Sequence, residues 1–84
     1  MKFELLLTQR ARENITRLPS PIIPRIQKGL ERIAENPYSG KALKGELHGL
    51  HSYRIGDYRI IYEIQSKKIV VIILTVGHRK EIYR

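Results

Sequence analysis

Five residues able to hold or move charge crowd the last stretch of the sequence, "VIILTVGHRKEIYR": His78, Arg79, Lys80, Tyr83 and Arg84. Arginine offers a planar fork of donors that matches phosphate oxygens, and it stays charged. Histidine can move a proton near neutral pH. Tyrosine can stack on a base or hydrogen-bond through its hydroxyl. A second group lies upstream, where "SYRIGDYRIIYEI" sets Arg54 and Arg59 on either side of Gly56-Asp57. Two arginines together could hold a phosphodiester and stabilise the extra charge of a pentacovalent transition state. The combination suits metal-independent cleavage of RNA by its own 2′-hydroxyl, and composition alone fits plain RNA binding equally well.

Other chemistries are poorly served. His48 and His51 in "HGLH" stand three apart, but Gly49 between them argues against a helix, and the chain has no cysteine. With no convincing third ligand, neither a metal site nor a cofactor is expected. Ser52 beside His51 is not a triad, because adjacency in sequence does not supply the geometry. Glu4, Glu13, Glu31 and Glu35 are too scattered for a paired-carboxylate site, and "SGKALKG" lacks the spacing and ending of a phosphate-cradling loop.

The elements that must position these groups can be read from periodicity. Residues 2–8 read as a short strand, and Thr8 can cap a helix over 9–18 in which Ala11, Ile15 and Leu18 share a face. Pro19 and Pro21 break the chain, and Ser20 before Pro21 starts a second helix. Its apolar stripe is Ile23, Ile26, Leu30 and Ile33, with Arg25, Lys28, Glu31, Arg32 and Glu35 outside, and Asn36-Pro37 ends it. After a basic, glycine-punctuated connection, residues 50–64 read as a hairpin turning at Gly56-Asp57. Residues 68–76 form a continuous apolar strand, and the polar cluster after it leaves no room for another element. The order β-α-α-β-β-β predicts an α+β fold: a small, mostly antiparallel four-stranded sheet with an α-helical hairpin on one face.

A two-residue turn puts Tyr53, Ile55, Tyr58, Ile60, Tyr62 and Ile64 on the helix-packed face, with Arg54 directly opposite Arg59 on the other. Like charges so opposed are unfavourable. Either an anion sits between them or each side chain snorkels at the sheet edge. The whole chain has 16 Lys+Arg against 8 Asp+Glu, a net charge of +8. That field attracts polyanions, with nucleic acid the first candidate, an acidic protein the second and an anionic membrane the third. Residues 1–84 are expected to form one domain. No secretory signal is visible and the longest apolar run, 69–74, is far short of a membrane span, so a cytoplasmic protein is expected.

Residues 43–83, above all "YRIGDYRIIYEI" and "VGHRKEIY", resemble the RelE/ParE superfamily of type II toxin–antitoxin toxins, most closely its RelE branch. That resemblance implies a toxin that enters the ribosomal A site and cuts mRNA without metal, leaving a 2′,3′-cyclic phosphate and a 5′-hydroxyl. It implies that Arg59 stabilises the phosphate, that Arg79 acts at the scissile phosphate and leaving group, and that Tyr83 orients the substrate. Arg54 takes the first of two basic positions in its strand. At the second, where the RelE pattern has a lysine proposed as general base, this chain has Gly56. His78 is the candidate replacement, with Lys44, His48 and His51 behind it. Lys41, Lys44, Arg54, Lys80 and Arg84 are the expected RNA and ribosome contacts. The implied partners are a cognate acidic RelB-like antitoxin, in a heterodimer or heterotetramer, together with ribosome and mRNA. The superfamily also holds ParE-like toxins that poison DNA gyrase, and a non-catalytic RNA- or antitoxin-binding module is a third reading.

Overall fold

The computed structural model describes residues 2–82. Its elements run β1 (Glu4–Leu7), α1 (Gln9–Thr16), α2 (Ile23–Glu35), β2 (Lys41–Ala42), β3 (Leu50–Ile55), β4 (Tyr58–Gln65), β5 (Val70–His78) and α3 (Arg79–Ile82). The strands form one sheet in the order β1-β5-β4-β3-β2, with only the β1–β5 pair parallel. The α+β class and the helical pair on one face match the sequence reading.

Two elements were not expected. β2 is a fifth strand of two residues, Lys41 opposite Ser52 and Ala42 opposite His51. Two residues carry no alternation, so no periodicity could have revealed it. The polar cluster after β5 holds one helical turn, α3, rather than leaving no room for an element.

Local chemistry explains the helix ends. The Thr8 hydroxyl accepts from the Ala11 amide at 3.0 Å, capping α1, and donates to the Leu74 carbonyl at 2.9 Å. One side chain thus fixes α1 and its seat on β5. A 3₁₀ turn, Ser20–Ile22, leads into α2, and Pro24 falls in the first turn where its missing N–H costs nothing. Ala11, Ile26 and Ile33 of the helices bury against Ile60, Tyr62, Val71, Ile73 and Val76 of the sheet. Full burial of each large side chain is worth about 1.5–3 kcal/mol.

The sheet has one irregularity with consequences. Ile61 pairs with Thr75 and Tyr62 with Ile73, so Leu74 is an extra residue in β5. A bulge of this kind shifts the alternation by one. Val71 and Ile73 face the core before it, and Val76 faces the core after it. β1 stops opposite Ile73, and beyond that point Asn14 of α1 covers the β5 edge. Its Oδ1 accepts from the Val76 amide at 3.1 Å and the Thr75 hydroxyl at 2.8 Å. Edge groups that would otherwise be unmet are thereby satisfied.

Candidate functional site

The β3–β4 hairpin folds in the expected register: Ile55 opposite Tyr58, Arg54 opposite Arg59, Tyr53 opposite Ile60. Gly56 has φ +59 and Asp57 does not enter the positive region, the pattern of a type II′ turn with glycine at its first central position. Arg54 is exposed and Arg59 half-buried, on the face turned away from the helices. Arg54 Nε donates to the Gly56 carbonyl at 3.1 Å, which folds the side chain back along the turn. On the other flank of Arg59, Gly77 of β5 is its pairing partner.

Arg79 comes to the same end of the sheet. Its amide donates to the Asp57 carbonyl at 2.8 Å, pinning the start of α3 to the hairpin turn. Lys41 of β2 pairs with Ser52, which pairs with Ile61, so it shares the open face with Arg54 and Arg59. It sits one pleat repeat away, about 7 Å along the strand. Lys44 and His48 are exposed in the connection around a 3₁₀ turn, Gly45–Leu47, and Lys80 is exposed in α3. Tyr83 and Arg84 lie outside the described residues.

The histidines stand elsewhere. His78 pairs with Tyr58, its ring edge-on at 5.6 Å and 79°, which puts it on the helix side of the sheet. Its Nδ1 accepts from the Lys80 amide at 3.2 Å. His78 therefore caps α3. His51 also faces the helices, stacked on Tyr62 at 5.7 Å and edge-on to Tyr38 at 6.2 Å. Neither strand histidine shares the face of Arg54 and Arg59.

The open face carries a groove of about 310 Å³ next to Gly77, lined by Arg10, Asn14, Leu50, Ile61, Leu74 and Thr75 among others. Arg10 is a cation that the sequence reading did not single out. The available signal was its i, i+4 spacing from Asn14, which places both on one helix face. Behind the sheet the Tyr62 hydroxyl donates to the buried Pro37 carbonyl at 2.7 Å. Burial pushes this phenol up to about 12, with a smaller rise from Tyr53 and a lowering from the Gly40 backbone.

A five-stranded sheet with two helices on one face is a frame shared with solved RelE toxins. The toxin–antitoxin complex RelBE2 from Mycobacterium tuberculosis superposes with a TM-score of 0.87 at 32% identity, over 94% of this chain and 100% of that one. The isolated Escherichia coli RelE toxin gives 0.78 at 26% identity, over 96% and 90%. In sequence, the toxin RelG of Mycobacterium tuberculosis (strain ATCC 25618 / H37Rv) is 35% identical over 86 residues, 100% of this chain and 99% of that one. The toxin RelE of the same strain is 33% identical over 98% and 87%. This chain belongs to the family of ParE toxins of type II toxin–antitoxin systems, which matches residues 5–83.

Proposed function

We propose that this chain is a ribosome-dependent mRNA endonuclease, paired with an acidic RelB-like antitoxin that silences it. The observation carrying this reading is the pairing of Arg54 with Arg59 on the open face, beside Arg79 held at the hairpin turn. Arg59 and Arg79 neutralise the charge that builds on the phosphate as the 2′-hydroxyl attacks in line, and Tyr83 orients the flanking base. Oriented donors of this kind supply a large share of such catalysis. With His51 and His78 turned to the helix side, the rate rests on charge stabilisation and positioning rather than on either imidazole.

The relatives solved as RelB–RelE complexes support an antitoxin partner. The open face offers it an apolar footing through Leu6, Leu47 and Leu50, and a charge of +8 speeds the encounter. A second reading, gyrase poisoning, is favoured by the match to the ParE family.

The test uses purified toxin, mRNA-programmed ribosomes and naked mRNA in parallel, with primer extension to map cuts. Cleavage in the A-site codon only with ribosomes, abolished in folded Arg59→Ala and Arg79→Ala, is the expected result. Intact mRNA together with impaired gyrase supercoiling overturns the nuclease in favour of the second reading.

A further inference from the structure

A second group of cations, sharing Arg54 with the open face, lies where α2 runs beside the end of β3. β2 pairs only with His51 and Ser52, so the rest of β3 lies beyond the end of that strand and lines a cleft with the helix. This open cleft of about 320 Å³ is flanked by Arg25, Lys28 and Arg32 on the helix and Arg54 on the strand. Among the described residues, no carboxylate lines it.

Two glycines build it. Gly29 is buried, and a Cβ there would meet the Ile55 side chain, so α2 lies close against β3 at this point. At the turn, the Arg25 guanidinium lies 3.2 Å from where a Gly56 Cβ would stand. Arg54 Nε reaches the Gly56 carbonyl at 3.1 Å. Two guanidinium groups thus converge on one turn, an arrangement whose repulsion an anion would relieve.

We infer that this cleft is a second phosphate-binding surface, which grips the backbone of structured RNA apart from the strand held at Arg59. The row Arg25, Lys28, Arg32 follows i, i+3, i+7 spacing and runs about 10 Å along α2. Regularly spaced charges fit regularly spaced phosphates. Apart from Tyr53 and Ile55 the lining is charged or glycine, whereas an antitoxin segment finds its apolar footing on the open face. The choice of RNA rests on the function proposed above.

The experiment measures binding of a short RNA hairpin by fluorescence anisotropy across a salt series. Wild type is compared with Arg25→Gln/Lys28→Gln/Arg32→Gln and with Arg59→Ala, circular dichroism confirming that each is folded. All three α2 positions are exposed, so the triple variant is expected to keep its fold. Its log–log salt slope should fall by about 2–3, near 0.9 for each phosphate no longer neutralised. Arg59→Ala should keep most of the slope, and a polyglutamate peptide should compete poorly. An unchanged slope in the triple variant overturns the inference, as does polyglutamate binding that depends on the α2 cations while RNA binding does not. Ribosome assays run alongside separate the two proposals. A reduced slope in a protein that cuts nothing upholds the cleft and sinks the nuclease, and cutting with an unchanged slope does the reverse.

Discussion

Replacing Tyr62 by phenylalanine tests the packing beneath the site through its pH dependence. Tyr62 is fully buried and its hydroxyl donates to the Pro37 carbonyl. At neutral pH, Tyr62→Phe leaves that carbonyl unmet and should cost about 1–2 kcal/mol. The phenol's pKa rises from 10.0 to about 12 in the fold, chiefly through burial. A raised pKa means that the unfolded chain ionises first. The associated stability is therefore complete below pH 10 and is lost as pH climbs toward 12. Two units correspond to about 2–3 kcal/mol, so the order of stability should reverse and the variant should become the more stable protein. Urea midpoints of both proteins at pH 7 and at steps from pH 10 to 12 measure this, because every other titrating group is common to the pair. A difference that stays flat across that range refutes the reasoning.

Two further substitutions probe local devices. If His78 caps α3, His78→Asn should keep both the turn and activity. His78→Ala should loosen the turn by about 0.5–2 kcal/mol, read as faster amide exchange at Lys80. A general base at His78 would instead make both variants equally inactive. Ile69 has φ +55, an unusual conformation for a β-branched residue. Ile69→Gly should raise stability by about 0.5–1 kcal/mol in urea unfolding, and a decrease would mean that its packing outweighs the strain.

The hairpin and helices were legible because their side chains follow a clear period. Tyr53 through Ile64 alternate cleanly, and a two-residue turn then fixes Arg54 opposite Arg59. Thr8 stood directly before a helical stripe, and the structure uses it as the cap. The last strand was not legible in the same way. Residues 69–74 are apolar throughout, so both faces read alike and the extra residue at Leu74 leaves no trace. His78 became a candidate base because Gly56 stands at the lysine position, and the bulge, which no pattern showed, turns it to the helix side. Asn14 and Arg10 were hidden because their roles depend on β1 ending early, which is a tertiary fact.

The bulge at Leu74 also constrains how this strand can change length. It works as a phase shifter, setting the two halves of one strand half a period apart. Deleting Leu74 would restore strict alternation and leave Val76 in the core, because Ile73 and Thr75 already pair with consecutive residues of β4. It would also keep His78 opposite Tyr58 and Gly77 beside Arg59. An insertion would instead add a second unpaired residue to the ladder, so single-residue insertions should be excluded from β5, where loss of Leu74 is absorbed, yet tolerated in the connection around Gly45–Leu47. An insertion scan scored for folding would reveal this as a sharp boundary between the two segments.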